Sequence, residues 1–372
     1  MNTELFIEML SIDSTTGRER ALADFFAERL PSGNCKVERF DVPAMASEAS
    51  DGEAPVNLLF RWGEPKVFFC SHLDTVPPFV APAWDEDGNF RGRGTCDAKG
   101  QIFAMYEACL ELEKRGYTDF GLLLLAGEET GSYGAKAFSA AFKDREFDTV
   151  IVGEPTDNCM ASAAKGTKAF EVTFTGKACH SGYPENGASA VEYFNDFMNA
   201  LRSIGFPEDE VLGKTTFNVG RLSSDNPQNI LSDNLSCRVY FRTTFESDEM
   251  VCNVMQNMAG PDARLRFGRK KVQDGSDLLN KEVAPWQRAM TVKALGGDSP
   301  TRFTVLEGFD VKPVSFGSDA PQLTCFRRKI LCGPGSIFVA HTDRECITRN
   351  ELETAKDNYI RLYESLIVSS YK

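Results

Sequence analysis

The chain has 372 residues, of which 42% are hydrophobic and 26% are charged, and its formal net charge is −13. This length is enough for two domains and a large core, and the charge argues against nucleic acid and anionic membranes as partners, because phosphates would be repelled. No apolar run approaches the roughly 18 residues of a membrane span, and the N-terminus lacks the layout of a signal peptide, so we expect a cytoplasmic location.

In chain order, apolar periodicity predicts a helix before residue 14, a second helix over residues 19–30 and a strand around residues 36–42. Three apolar strands follow, KVFFCSHLD, GLLLLAG and DTVIVGEP, with predicted helices between them. Strands that alternate with helices predict an α/β domain with a mixed, largely parallel sheet and helices on both faces. Ligands gather at the carboxyl ends of such strands, where the polar residues of these segments lie.

The pattern changes after Lys165, where half-buried strands and helices follow the order β-α-β-β-α-β. The segments are TKAFEVTFTG, ASAVEYFNDFMNALRSI, TTFNVGRL, NLSCRVYFRTTF, DEMVCNVMQNMA and ARLRFG. This order predicts a ferredoxin-like α+β domain over residues 165–269.

The last part of the chain is predicted to return to the α/β domain. We expect a helix near Pro285–Leu295, strands around residues 311–316 and 329–332, and a helix over residues 348–368. The α/β domain is therefore discontinuous, over residues 1–164 and 270–372, and the α+β domain is inserted into it.

Histidine is rare in this sequence. Only His72, His180 and His341 occur, each in a glycine-, proline- or acid-rich segment rather than on an apolar helix face. The eleven cysteines include no C-x-x-C pair, which indicates neither a disulfide framework nor a cysteine zinc site. The histidines are therefore the stronger candidates for metal binding.

The segment from Cys70 to Lys99 carries the strongest pattern. A strand that ends in His72 and Asp74 directs both side chains to one face, so the imidazole can bind a metal while the carboxylate orients it. Asp97 follows a glycine-rich turn and precedes a predicted helix, from where it can turn back towards the strand ends. Taken singly, the H-x-D pair and Asp97 are also typical of surface loops.

Five residues offer the nitrogen and carboxylate ligands that zinc-type ions prefer. They are His72, Asp97, Glu129, Glu154 and His341. Five ligands exceed the usual four for one tetrahedral zinc ion, so a carboxylate shared by two ions is the economical arrangement. We assign Asp97 as the shared ligand, which gives each ion one histidine, one terminal carboxylate and a place for water.

Glu128 directly precedes Glu129, and consecutive side chains diverge in an extended backbone. Glu128 is therefore the candidate general base, which moves a proton from water to the leaving nitrogen. Burial among like charges would raise its pKa towards neutrality. The alternative interpretation of the pair is a solvated helix start.

Other residues are candidates for contacts with a substrate. His180 could donate to the oxyanion of a tetrahedral intermediate, or it could be a turn residue without a task. Asn229 and Arg242 could bind a substrate carboxylate, or they could be ordinary polar residues. Backbone amides at Gly333 and Gly335 could also hold a carboxylate, although a GPG run alone is a weak signal.

Seven segments in a fixed order carry a resemblance to a known family. They are HLDTVP, GRGTCDAKG, AGEETGS, GEPT, GKACHSGYPENGASA, GSDA and GPGSIFVAHTDRE, and they span residues 72–345. Together they resemble the di-zinc amidohydrolases, a family that contains acetylornithine deacetylase, succinyl-diaminopimelate desuccinylase, aminoacylases and glutamate carboxypeptidase.

The resemblance implies two zinc ions, or cobalt or manganese in their place, and an inserted domain that serves as a lid or for dimerisation. It assigns His72 and Glu154 to one ion, Glu129 and His341 to the other, Asp97 to both, Glu128 as the base and Asp74 as the support of His72. It also implies a cis peptide bond after Asp97. In dimeric relatives the lid histidine, here His180, acts on the neighbouring subunit's site, which predicts a homodimer.

Within the family, Glu154 in GEPT and the GPGSIFVAH run resemble the acetylornithine or acetylcitrulline deacetylase branch. This implies a deacylase that removes an acetyl or succinyl group from a small amino acid such as ornithine or citrulline, in arginine-type biosynthesis, with a metal-bridging water as the nucleophile. The residues after the last histidine, Thr342–Arg344, depart from the usual pattern and leave the substrate open. Two alternatives are a dipeptidase or aminopeptidase of the same family and a catalytically inactive protein that binds a small molecule.

Overall fold

The computed structural model describes residues 1–43, 54–259 and 289–369. Contacts among these residues divide the chain into two compact units. The first contains Met1–Ala163, Arg302–Val314 and the chain from Ser318 on, and the second contains Ala164–Thr301 and Ser315–Gly317. The second unit thus continues past residue 269, where the sequence analysis placed the end of the inserted domain.

The helices of the described residues are α1 (Thr3–Ser11), α2 (Arg20–Arg29), α3 (Lys99–Lys114), α4 (Glu128–Gly131), α5 (Tyr133–Ala141), α6 (Ala190–Ser203), α7 (Asp248–Met258) and α8 (Arg349–Ser369). The strands are β1 (Lys36–Asp41), β2 (Val56–Trp62), β3 (Val67–His72), β4 (Ala83–Trp84), β5 (Asn89–Arg91), β6 (Phe120–Leu125), β7 (Phe147–Val152), β8 (Met160–Ala164), β9 (Gly166–Thr175), β10 (Thr216–Ser223), β11 (Asn234–Thr243), β12 (Ala289–Gly296), β13 (Thr301–Arg302), β14 (Val311–Val314), β15 (Phe326–Leu331) and β16 (Cys346–Thr348). Among the described residues, no helix has the length and apolarity needed to cross a membrane.

The first unit is built on a six-stranded sheet of order β1-β2-β6-β3-β7-β15. The strands β6, β3, β7 and β15 run parallel, while β1 and β2 pair in antiparallel fashion at one edge. Every residue of β3 and β6 is buried, as expected for parallel strands that are covered on both faces. The predicted mixed α/β class is confirmed.

Aromatic contacts show that helices pack on both faces of this sheet. Phe69 of β3 meets Tyr359 of α8 with ring centroids 5.8 Å apart. The preceding residue, Phe68, points the other way and meets Phe326 of β15 at 5.0 Å, and Phe138 of α5 stacks on Phe326. Because side chains alternate along a strand, these contacts lie on opposite faces.

A small sheet of order β16-β5-β4 joins two distant parts of the first unit. Cys346 pairs with Arg91 and Thr348 pairs with Asn89. The chain just after His341 is thereby held beside the chain that leads into Asp97. A further small sheet has the order β13-β8-β14.

The second unit has an antiparallel sheet of order β10-β11-β9-β12 with α6 and α7 packed on it. This strand order and the sequence β9-α6-β10-β11-α7-β12 are those of a ferredoxin-like fold. Phe174 of β9, Phe197 of α6 and Met255 of α7 are fully buried in its core. The fold class predicted for the inserted domain is confirmed.

Two predicted elements near the end of this unit need comment. The helix predicted over Pro285–Leu295 is wrong for its described part, because residues 289–296 form β12 and pair with β9. The alternation of Met290 and Val292 with polar neighbours is a period of two, which favours a strand. The strand predicted at ARLRFG lies outside the described residues.

Candidate metal centre

The carboxyl ends of three parallel strands lie side by side and carry the candidate residues. In the paired strands β3 and β6, His72 is opposite Leu125, so the two strands end at the same level. The strand β7 pairs with β3 on its other side and ends two residues before Glu154. His72, the Glu128–Glu129 pair and Glu154 therefore reach the same edge of the sheet, as the sequence predicts.

His72 and Asp97 form the first half of the cluster. The imidazole Nε2 lies 3.0 Å from Asp97 Oδ1, and the other ring nitrogen, Nδ1, lies 2.9 Å from the backbone oxygen of Asp74. In the neutral ring a proton on Nδ1 is donated to that oxygen, which leaves the lone pair of Nε2 able to bind a metal ion. Ligand atoms of His72, Asp97 and Glu154 all lie within 4.8 Å of one another.

His341 forms the second half. Its Nε2 lies 3.1 Å from Asp97 Oδ2 and 3.0 Å from Glu129 Oε1. Asp97 thus directs one carboxylate oxygen towards each histidine, and ligand atoms of Asp97, Glu129 and His341 again lie within 4.8 Å. The peptide bond between Asp97 and Ala98 is cis, as the resemblance implied.

The residues present fit a pair of divalent metal ions. Two imidazole nitrogens and three carboxylates are a zinc-type ligand set. Glu154 Oε1 is buried and has no hydrogen-bond partner among the described residues. An unsatisfied buried acceptor costs about 1–3 kcal/mol, and a bound cation would remove that cost.

The electrostatics of the cluster show what a cation would replace. Hydrogen bonds to Asp97 and Glu129 raise the pKa of His341 to about 10. Burial lowers the pKa of His72, but hydrogen bonds to Asp74 and Asp97 outweigh burial and raise it well above its ordinary value. Both directions favour protonated histidines beside the carboxylates in the metal-free cluster, and metal ions would displace those protons.

Asp74 supports the cluster in a second way that the sequence did not predict. Its two carboxylate oxygens accept the backbone N–H groups of Glu128 and Glu129, at 3.0 and 3.1 Å, and Thr16 Oγ1 donates to it at 3.1 Å. Asp74 therefore fixes both the ring of His72 and the start of the segment that carries the two glutamates.

The backbone at Glu128 and Glu129 is helical, whereas an extended backbone was assumed from the sequence. They begin the one-turn helix α4, which follows Gly127 in the left-handed conformation, with φ of 69°. Their side chains still diverge, because successive residues of an α-helix are about 100° apart around its axis. Glu129 meets His341, while the Glu128 carboxylate makes no hydrogen bond within the described part of the chain.

Glu345 and Arg93 also belong to the centre, although their sequence positions do not predict it. Glu345 Oε1 accepts the backbone N–H groups of Cys96 and Asp97, each at 3.1 Å, and its Oε2 accepts from Arg93. Arg93 and Glu345 both lie inside segments that were quoted for the resemblance. Their functional signal is that each is a charged residue in the interior. The sequence of a loop does not show which of its charged residues are buried, so this signal is absent from the sequence.

The glycines proposed to hold a carboxylate are packed tightly within the first unit. The Gly333 N–H donates to Thr156 Oγ1 at 2.9 Å, so this amide is already engaged. A Cβ at Gly333 would lie 2.0 Å from Gln101 Oε1, and one at Gly335 would lie 2.5 Å from Cys96 Cβ. Because they lack a side chain, these glycines let the chain pass close to the segments that carry Glu154 and Asp97.

The remaining residues that were predicted to contact a substrate lie in the second unit. His180 is exposed, and its Nδ1 accepts the backbone N–H of Gly182 at 3.1 Å. Asn229 is exposed, and its backbone oxygen accepts from Ser181. The Arg242 guanidinium lies over the ring of Tyr240, 5.0 Å from its centroid.

The chain is similar to known proteins over most of its length. The family model for "Peptidase family M20/M25/M40" matches residues 68–365. A "probable carboxypeptidase" of Aspergillus terreus is 32% identical over 386 residues, which cover 96% of this chain and 84% of that protein.

Solved structures share the fold. A tripeptidase from Staphylococcus aureus has a TM-score of 0.72 at 20% identity, over 96% of each chain. A dinuclear metal binding peptidase of the M20 family from Bacillus subtilis has a TM-score of 0.63 at 11% identity, over 97% of this chain and 96% of that one. These names do not single out the acetylornithine deacetylase branch. What the matches do establish is that the chain belongs to peptidase family M20/M25/M40, a family of metal-dependent hydrolases.

Proposed function

We propose that this protein is a di-metal amide hydrolase that releases an amino acid with a free α-carboxylate from an N-acylated amino acid or a short peptide. The observation that carries the proposal is the position of Asp97, whose two oxygens lie 3.0 and 3.1 Å from Nε2 of His72 and of His341. One carboxylate between two imidazoles is the arrangement that a bridged metal pair needs.

His72 and Glu154 would hold one metal ion, His341 and Glu129 the other, and Asp97 both. Bound divalent ions, of which zinc is our first choice and cobalt or manganese are substitutes, supply Lewis-acid chemistry that polarises the amide carbonyl and acidifies water. The buried, unpartnered Oε1 of Glu154 supports its assignment as a ligand.

Glu128 is the proposed general base. Burial raises its pKa well above the ordinary value, and the nearby carboxylates of Asp319 and Glu129 add to this, while His72 opposes it. A carboxylate with a raised pKa can take a proton from the attacking water and deliver it to the leaving nitrogen. Asp74 holds the backbone of Glu128 in place, so the base has a fixed starting point.

His180 is the proposed donor to the oxyanion of the tetrahedral intermediate. Because Nδ1 accepts the N–H of Gly182, the neutral ring carries its proton on Nε2, which is then available to donate. The family resemblance supports a homodimer in which this group serves the neighbouring subunit's site. A positioned donor of this kind is worth about 3 kcal/mol.

The names of the relatives support the choice of the bond to be cleaved. Both a carboxypeptidase and an N-acyl-amino-acid deacylase cut the amide on the nitrogen of a residue whose α-carboxylate is free. The curated relative at 32% identity bears the name "probable carboxypeptidase", which supports this shared bond. Arg242 and Asn229 are the residues that we propose to bind the carboxylate, Arg242 through its guanidinium fork.

A substrate panel tests this proposal. Purified protein loaded with zinc is assayed on acetylornithine, acetylcitrulline, succinylornithine and dipeptides, each beside its C-terminally amidated form. We expect hydrolysis of free-carboxylate substrates and at least a tenfold loss on amidation, while the Glu128→Gln variant controls for contaminating hydrolases. Activity that requires a free amine and ignores amidation would instead identify an aminopeptidase, and zinc-loaded protein with no hydrolysis would indicate a binding protein.

A further inference from the structure

We infer that Glu345, held by Arg93, is a positioning residue that fixes the shared carboxylate of Asp97 between the two histidines. The inference rests on the proposed function in taking Asp97 as a ligand of both metal ions. Arg93 Nη1 lies 2.6 Å from Glu345 Oε2, and the two side chains are only 4% and 2% exposed.

Glu345 acts directly on the backbone of Asp97. Its Oε1 accepts the N–H groups of Cys96 and Asp97, each at 3.1 Å. Only the torsions χ1 and χ2 of Asp97 separate this fixed backbone from its carboxylate oxygens. Ligands of a metal site need to be held within about 0.5 Å, and a displaced Asp97 would disturb both metal positions at once.

Arg93 connects the same support to the loop of the second histidine. Its Nη1 donates to the backbone oxygen of Thr342, and its Nε donates to that of Pro78, each at 3.3 Å. Thr342 directly follows His341, whose φ of 60° lies in the left-handed region that non-glycine residues rarely adopt. The guanidinium therefore ties the His341 loop, the chain that follows Asp74, and Glu345 to one rigid group.

Stability alone does not explain a buried ion pair at this place. The cost of removing two charges from water generally offsets their attraction, so such pairs add little net stability compared with apolar residues. A carboxylate, however, can accept on both oxygens, which Glu345 does. A glutamine would place its NH₂ group either against Arg93 or against the two backbone N–H groups, so that donors would face donors on one side.

The test measures metal affinity and the absorption spectrum of bound Co²⁺, which do not depend on turnover. Glu345→Gln should weaken both sites by about ten- to a hundredfold, the usual effect of losing a group that orients metal ligands, and should shift the Co²⁺ spectrum. Arg93→Lys keeps the charge but loses the fork that reaches several acceptors. It should weaken chiefly the site of His341, and it carries the test if Glu345→Gln does not fold.

Asp148→Asn is the matched control. Asp148 is a partly buried carboxylate that binds Arg327 and Arg328, and it lies six residues before Glu154, about 20 Å away along the strand. We expect it to lower thermal stability and to leave metal affinity and the Co²⁺ spectrum unchanged. Wild-type affinity and spectrum in Glu345→Gln, or in Arg93→Lys where Glu345→Gln does not fold, would overturn the inference. Wild-type protein that binds two ions but hydrolyses no amide would overturn the proposed function alone.

Discussion

The backbone N–H of Glu128 donates to Oδ1 of Asp74 at 3.0 Å. Asp74 also accepts the backbone N–H of Glu129, and its own backbone oxygen lies 2.9 Å from Nδ1 of His72, so one buried residue sets the proposed base and a proposed metal ligand relative to each other. The position of the proposed base is therefore fixed by the chain that follows β3 as well as by its own helix α4.

Glu128→Gln should keep both metal ions and lose at least about a hundredfold in turnover, the scale of general-base catalysis. The amide has nearly the same shape but cannot accept a proton at neutral pH, and Asp74 would still hold its backbone. Metal content and kcat are measured on the same preparation. Near-normal kcat in this variant would remove Glu128 from the role of base.

Metal uptake should release protons and tighten as the pH rises. The pKa of His341 is raised to about 10 in the metal-free cluster, so below that pH its ring is protonated and a metal ion must displace the proton. Burial lowers the pKa of His72, but hydrogen bonds to Asp74 and Asp97 outweigh burial and raise this pKa as well, so a metal ion that binds this ring also competes with a proton. Calorimetric titration with Zn²⁺ in buffers of different ionisation enthalpy, at pH 7.5, should show at least one proton released per histidine. Binding without proton release would show that the rings are neutral beforehand.

His180→Asn separates the turn from the catalytic donor. An asparagine oxygen can still accept the N–H of the residue two positions on, which His180 Nδ1 accepts now, but it lacks the Nε2–H group. We expect normal folding and metal content with a loss of roughly a hundredfold in kcat.

Mixing this variant with Glu128→Gln tests the proposed homodimer. If His180 serves the neighbouring subunit's site, mixed dimers contain one complete site and activity returns in part. Unchanged kcat in His180→Asn would exclude the donor role, and absence of recovery in the mixture would place donor and base in the same chain's site.

Asp148→Asn should destabilise the edge of the main sheet in a pH-dependent way. Burial raises the pKa of Asp148, but hydrogen bonds from Arg327 and Arg328 of β15 outweigh it and lower the pKa. A carboxyl group whose pKa is lowered on folding stabilises the fold at pH values above its unfolded pKa of about 3.9. This stabilisation is lost as the pH falls through the folded pKa.

We expect Asp148→Asn to lose about 1 kcal/mol or less of unfolding free energy relative to wild type. This difference should be constant between about pH 7 and 5 and should narrow below about pH 4. Thermal unfolding of metal-free protein measures it, with Glu64→Gln as the control, since Glu64 is 75% exposed in its ion pairs. A difference in unfolding free energy between wild type and Asp148→Asn that widens on acidification would contradict the stabilising role of the Asp148 carboxylate.

Much of the fold and the ligand set follows from local sequence. The buried strands that end in His72, Leu125 and Val152 read as apolar runs with polar tips, and parallel pairing then brings their ends together. A helix is predicted where β12 forms because the alternation of Met290 and Val292 is too short to exclude a helix. The pairing of β12 with β9, more than a hundred residues earlier in the sequence, decides between helix and strand.

The support of the centre could not be predicted in the same way. Glu345 reaches Asp97 across 248 positions of sequence, and nothing local to the HTDRE segment states that its last residue is buried. Likewise, the double acceptance by Asp74 depends on a helix start at Glu128 where an extended backbone was assumed. Such contacts arise from tertiary packing, which the motif spacing does not record.

The most direct test of the central claim is the metal content of single variants, measured by mass spectrometry after equilibration with Zn²⁺. Wild-type protein should hold two ions per chain, and His341→Ala and Glu154→Gln should each hold one. Asp97→Asn should hold neither tightly, because its carboxylate lies between both histidines. A wild type with fewer than two ions, or an Asp97→Asn variant that keeps one ion at wild-type affinity, would contradict the shared-ligand account.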